Sequence, residues 1–219
     1  MNCVTLALLL LQCPRAHADF RVRFDVNTTA GLGHFNVRVH ESWAPIGAAR
    51  FRELASTGFF DDSRFFRAIS GFMVQFGEAG QPASLPLLLW PLPSFFRGIY
   101  AKLMSFLPFG SGWGSIKDDP VKGTNAPGTL TFAKSGMPNS RSTQLFFNIG
   151  ENNRRLDRMG FAPIGQIEGN GLTVLSSVYM CGDGPNQAAV LADGNAYLDA
   201  YFPNLSRIIS VGLLDHEEL

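Results

Sequence analysis

Apolar and polar residues alternate from Phe20 to Val26, Asn27 to Gly33 is a cluster of turn formers, and the alternation resumes from His34 to His40. A period of two puts one face of a strand against a core and the other in water, so the stretch reads as a β-hairpin and the chain as a sheet protein. Further strand signals occur at Arg64 to Ile69, Phe72 to Phe76, Gly128 to Ala133, Gln144 to Ile149, Phe161 to Ile167 and Ile208 to Leu213. Helical spacing is rarer. It marks Trp43 to Thr57, with Pro45 in the first turn and Gly58 as a stop, and Leu172 to Tyr179. With 23 glycines for tight turns, 19 phenylalanines for an aromatic core, no internal repeat and no Gly-Ser linker, the fold class is mainly β (α+β) in one domain, 19–219.

The charge pattern narrows function. Eighteen basic residues balance 18 acidic ones along the chain, so there is no basic footprint and no nucleic-acid partner is expected. His17, His34, His40 and His216 are scattered, there is no Cys-x-x-Cys, and Gly31-Leu32-Gly33 is a hairpin turn without a phosphate cradle. No metal site, nucleotide site or Ser-His-Asp triad is therefore nominated.

Both ends carry address-like features. An apolar run from Val4 to Leu11 followed by Ala16-His17-Ala18 reads as a signal peptide, 1–18, although its n-region lacks Lys or Arg. Its removal would take Cys3 and Cys13 and leave Cys181 alone, without an intrachain disulfide. Asn27-Thr28-Thr29 and Asn204-Leu205-Ser206 are glycosylation sequons among turn-forming residues. The closing His216-Glu217-Glu218-Leu219 resembles a retrieval signal, so the expected location is the secretory pathway, in the endoplasmic reticulum lumen. An apolar insertion, 82–112, is broken by Pro86, Pro91, Pro93 and Pro108, too often for a spanning helix. Ser94 to Leu107 within it has amphipathic spacing and suggests a peripheral membrane contact; translated intron sequence is the competing account of the segment.

FRAISGFMVQFGE, GTLTFAKSGMPNSRSTQLFFNIG and LDRMGFAPIGQIEG, in that order, resemble a cyclophilin-type peptidyl-prolyl cis-trans isomerase. The likeness runs from Phe20 to about Val178 apart from the insertion, and returns at the last strand. It implies an eight-stranded antiparallel closed β-barrel capped by two helices, here with a C-terminal extension, 180–206, before the last strand. It also implies an isomerase of X-Pro bonds that needs no cofactor, meets proline-containing peptides or client proteins, and works as a monomer. The extension resembles the tail of a bacterial and algal or plant-like subgroup that shares GFAPIG and the run Ile116 to Val121, and it is expected to pack on the barrel.

Rotation about an X-Pro bond is opposed by roughly 20 kcal/mol of amide resonance, and no covalent bond need be made or broken to cross it. A catalyst must grip the ring and stabilise the twisted amide over either planar form. From spacing alone Phe72, Met73 and Phe146 are core residues and Arg67 a solvated strand residue. The family resemblance instead makes Phe72, Met73 and Phe146 the walls of the proline pocket and Arg67 the donor to the prolyl nitrogen. It makes Gln75 the residue that orients the arginine, and Gln144 and the Ala133-Lys134 backbone binders of the extended peptide. The expected catalytic set is Arg67, Phe72 and Gln75, and the substrate-binding set Met73, Ala133, Lys134, Gln144, Phe146 and Phe161. Two positions depart from the family: Arg155 stands where a tryptophan is frequent and Phe161 where a histidine is usual. They imply altered peptide preference and weaker binding of the family's macrocyclic inhibitor, and they motivate an alternative, a proline-peptide binding module with little turnover. Lys134, where asparagine is usual, adds charge that would favour acidic peptides.

Overall fold

The computed structural model describes residues 18–78 and 113–214. The expected signal peptide up to residue 17, the insertion and the retrieval-like C-terminus lie outside the described residues. Eight strands are present: β1 (Phe20–Thr28), β2 (Gly31–Val39), β3 (Arg67–Ile69), β4 (Met73–Phe76), β5 (Thr129–Phe132), β6 (Leu145–Asn148), β7 (Pro163–Ile167) and β8 (Arg207–Leu214). They form one sheet in the order β3-β4-β6-β5-β7-β2-β1-β8, and every pair is antiparallel.

The opening hairpin is longer than the turn-forming residues suggest. Asn27 pairs with Leu32 and Thr28 with Gly31, so only Thr29 and Ala30 are left to turn. Gly31 takes φ +94, a conformation glycine adopts without steric cost, and this lets the ladder run to the tip. Asn27 consequently sits within β1 and is paired on its other side with Arg207.

The ladders do not run the full way round, which qualifies the expected closed barrel. At the seam, β3 and β8 meet only through the residues ahead of β3, where Arg64 bridges Arg207, Phe65 N donates to Ser206 O at 3.0 Å and Ile208 N to Ser63 O at 2.8 Å. A strand of three residues is too short to extend that contact.

Inside the sheet the alternation works as expected. β1 contributes Val22, Phe24 and Val26 to the core, and β2 contributes Phe35, Val37 and Val39. Phe24 is the hub, with Phe35, Phe51, Phe76 and Phe147 at ring centroid distances of 5.1 to 6.3 Å. Offset and edge-on pairs of this kind add to the apolar burial that holds the barrel together.

Two helices cover the sheet where the sequence places them. The first, α1 (Pro45–Ser56), lies against β7 and β8 and buries Phe51 and Leu54. It lacks a local side-chain cap; the carboxylate of Asp119, distant in sequence, accepts from Ile46 N at 3.0 Å and Gly47 N at 2.8 Å. Asp119 is in turn held by Arg141 at 3.0 Å, both side chains being nearly inaccessible, so the helix dipole and the arginine share one buried anion. After a 3-10 turn (Glu151–Arg154) and the short α2 (Arg155–Arg158), the second covering helix is α3 (Gly171–Ser176), three residues shorter at its end than expected, against β2. The extension holds two further helices, α4 (Gln187–Asp193) and α5 (Asn195–Tyr201). Val190 and Leu198 from them bury Phe66, the residue just ahead of β3, in a separate apolar cluster with Tyr197, Phe202 and Leu205.

Candidate active site

Strand alternation decides which way the motif faces. In β4, Val74 and Phe76 enter the main core while Met73 turns to the opposite face; in β6, Leu145 and Phe147 go inward and Phe146 does not. Directly opposed residues of antiparallel strands lie on the same face. Arg67 opposes Gln75, Gln75 opposes Phe146 and Phe146 opposes Thr131, so one row crosses β3, β4, β6 and β5 on that outer face. Met73 and Phe146 are buried, as spacing alone suggests, yet with Leu156 they form a small cluster of their own, bordered by Ile69, Phe72, Ala133 and Phe161.

All nine residues nominated from the sequence line one open groove of about 370 Å³ over this cluster, joined by Ser135, Ser140, Ser142, Leu156 and Gln187. One end is apolar, built from Phe72, Met73, Phe146, Leu156 and Phe161. The other end is a chain of hydrogen bonds. Arg67 Nη1 donates to Gln75 Oε1 at 3.3 Å, Gln75 Nε2 to Gln144 Oε1 at 2.6 Å, and Gln144 Nε2 to the Glu78 carboxylate. Arg67 can only donate, so the chain runs from it toward Glu78, which dictates the orientation of both amides. Burial pushes the Glu78 carboxyl up to about 7, against the Gln144 bond, which pulls it down. On its other side Arg67 donates from Nε to Asp183.

A buried polar layer holds the apolar end in place. The Phe72 carbonyl accepts from Ile149 N at 3.0 Å, Gly150 N at 3.1 Å and Asn153 Nδ2 at 2.6 Å. Asn153 Nδ2 also donates to Asn148 Oδ1 at 2.7 Å, and Asn148 Nδ2 to Thr129 Oγ1 at 2.9 Å and Asn125 Oδ1 at 3.1 Å. Asn125 Nδ2 ends the layer on Asp157 at 2.7 Å and the Phe161 carbonyl at 2.9 Å. Two aromatic walls of the groove are thus tied by their backbones to one network. The turn between them needs a glycine: a Cβ on Gly150 would fall 1.9 Å from Gly71 O.

The two unusual positions lie at the rim. Arg155 places its guanidinium 5.6 Å from the Phe72 ring centroid, and Phe161 meets Phe146 edge-on at 5.9 Å. Lys134 Nζ sits 5.4 Å from the Phe161 ring centroid, a cation–π distance that brings its charge to the groove. A second, polar cleft of about 250 Å³ lies near β8, but its buried cation Arg64 already donates to Asp62 and Asp199.

The family model described as cyclophilin type peptidyl-prolyl cis-trans isomerase/CLD matches residues 23–192. The chain belongs to the cyclophilin-type peptidyl-prolyl isomerase family. A peptidyl-prolyl cis-trans isomerase of Acinetobacter baylyi is 26% identical over 157 residues, 69% of each chain. A peptidyl-prolyl cis-trans isomerase-like 2 of Aspergillus fumigatus is 28% identical over 130 residues, which span 55% of this chain and 17% of that one. The crystal structure of a Cryptosporidium parvum cyclophilin superposes with a TM-score of 0.55 at 16% identity, covering 91% of this chain and 99% of that one, a likeness of fold.

Within this cyclophilin the sequence reading nominated neither Ser135, Ser140 and Ser142, which lie in the quoted run GTLTFAKSGMPNSRSTQLFFNIG, nor Leu156, Glu78, Asp183 and Gln187. Leu156 opens the quoted run LDRMGFAPIG, so its signal was present. Glu78 ends the first quoted run, but nothing local shows that Gln144 will reach it. Asp183 and Gln187 come to the groove only because the extension folds back over β3.

Proposed function

We propose that the protein catalyses cis-trans isomerisation of X-Pro bonds in client polypeptides. The observation that carries this reading is the placement of Arg67 and Gln75 in one row with Phe146, beside the pocket of Met73 and Phe72. A proline ring seated on that pocket puts its nitrogen near the guanidinium. In the planar amide the nitrogen lone pair is delocalised and accepts poorly; as the bond twists, the pair localises and becomes an acceptor. A fixed N–H at that point stabilises the twisted state selectively. Apolar walls strengthen the contact by excluding water.

Exchange spectroscopy on a short X-Pro peptide tests this with wild type and Arg67→Ala. Loss of the aimed donor is expected to lower kcat/KM by roughly 10²-fold with the fold retained. A wild type that binds the peptide without accelerating exchange favours the alternative, a proline-peptide binding module, which Arg155 and Phe161 at the rim support.

The proposed setting is the lumen of the endoplasmic reticulum, supported by the signal-like residues 1–18, the sequons and the C-terminal His216 to Leu219. Cell fractionation with N-terminal sequencing tests it, the mature chain being expected to begin at Asp19. A monomeric state and a peripheral membrane contact through 82–112 complete the proposal. Sedimentation alone and with liposomes tests both, and equal, negligible liposome binding with and without the insertion removes the membrane contact.

A further inference from the structure

The extension does more than lead to β8. Ala68 of the edge strand β3 forms a bridge with Gly182, with Ala68 N donating to Gly182 O at 3.2 Å and Gly182 N to Ala68 O at 2.7 Å. An antiparallel pair at 68 and 182 sets residue 183 opposite residue 67 on the same face. Asp183 and Arg67 form an ion pair there. The segment is then held on its far side: Asn186 Oδ1 caps α4 by accepting from Ala188 N at 2.9 Å and Ala189 N at 3.2 Å, and α4 and α5 lock onto Phe66. Gln187, the first residue of α4, lines the groove.

The geometry points to Asp183 as a positioning residue for Arg67, and to Gln187, carried by the same extension, as part of the wall of the substrate groove. A guanidinium is a rigid fork on a flexible stem. Gln75 holds one of its edges through Nη1, and Asp183 holds another through Nε from the solvent side. Two anchors on different edges define the plane. Nη2 is left without a hydrogen-bond partner among the described residues, available to a prolyl nitrogen. The Asp183 side chain is 69% exposed, so the pair contributes little to folding, and its effect lies in where it aims the arginine.

The inference rests on the isomerase reading, and the test separates the two. In the full chain, the 15N–1H resonance of Arg67 Nε reports the contact without turnover. It is expected to be shifted and protected from exchange in wild type and in Asp183→Glu, and to move toward the free-arginine position in Asp183→Asn, whose neutral amide oxygen accepts more weakly than a carboxylate. On an uncharged X-Pro tetrapeptide, Asp183→Asn is expected to lose about three- to fivefold in kcat with KM unchanged. Asp183→Glu recovers most of that loss, and Asp193→Asn, which removes the same charge from the exposed end of α4, changes neither readout. Gln187→Ala raises KM and leaves kcat alone. An unmoved Nε resonance in Asp183→Asn overturns the contact, and a moved resonance with unaltered kcat overturns the positioning role. An unaltered KM in Gln187→Ala overturns the wall. A wild type without isomerase activity overturns the isomerase reading alone, and the resonance then decides the contact by itself.

Discussion

Asn148 lies at the centre of the polar layer beneath the groove and is fully buried, as Asn153 nearly is. In Asn148→Ala, Asn153 keeps its bond to the Phe72 carbonyl but loses the acceptor for its second N–H, which water cannot reach. The two N–H groups of the lost amide are shared among Thr129 Oγ1 and O, Asn125 Oδ1 and Thr131 Oγ1, so about two bonds go, while Thr129 still donates to Ala126 O and Asn125 still accepts from Thr131. An orphaned buried donor costs about 1–3 kcal/mol and each lost bond about 0.5–1.5 kcal/mol, so the variant is expected to lose roughly 3 kcal/mol of stability. For a chain of this size that lowers Tm by roughly 6–12 °C. Urea unfolding followed by tryptophan fluorescence measures the loss, and a double-mutant cycle with Asn153→Ala isolates the direct bond, expected to couple by about 1–2 kcal/mol. Because the Phe72 carbonyl is tied to the same network, KM for an X-Pro peptide rises while kcat holds. A loss under about 1 kcal/mol, or a coupling within about 0.3 kcal/mol of zero, would refute the idea that the layer works as one unit.

Glu78 predicts a pH dependence. Its folded-state carboxyl, displaced from an ordinary value of 4.5 to about 7, holds a proton that the unfolded chain releases above 4.5, so stability declines as pH rises across that window. The decline is up to ~3 kcal/mol and is complete above pH 7; Glu78→Gln removes it, and a wild-type-minus-variant difference that stays flat from pH 4 to 8 would sink the argument. Gly150→Ala must displace Gly71 and with it Phe72, so peptide titration is expected to show weakened binding together with a lowered Tm; an unchanged pocket means the turn can yield. Arg155→Trp exchanges a cation over Phe72 for an aromatic face and is expected to tighten the family's macrocyclic inhibitor by roughly tenfold in calorimetry, with no gain indicating that Phe161 is the limiting departure.

The sequence by itself determined the strands, the two covering helices and the nine groove residues. Strand alternation is a local property, and the ordered run from Arg67 to Gln75, with Gln144 and Phe146 later, matches a family whose geometry supplies the rest. Alternation alone could not separate pocket from core. Met73 and Phe146 are apolar and nearly as buried as Val74 and Phe147, and it is the sheet's two faces that tell them apart. Three contacts belong to the tertiary structure alone: the Asp119 cap on α1, the Glu78 terminus of the hydrogen-bond chain, and the Asp183 anchor on Arg67. Each joins residues 66 to 116 positions apart. A carboxylate in a loop looks the same in sequence whether it meets water or an arginine. The difference is made by where the backbone is carried, here by the single bridge that lays Gly182 on the open edge of β3.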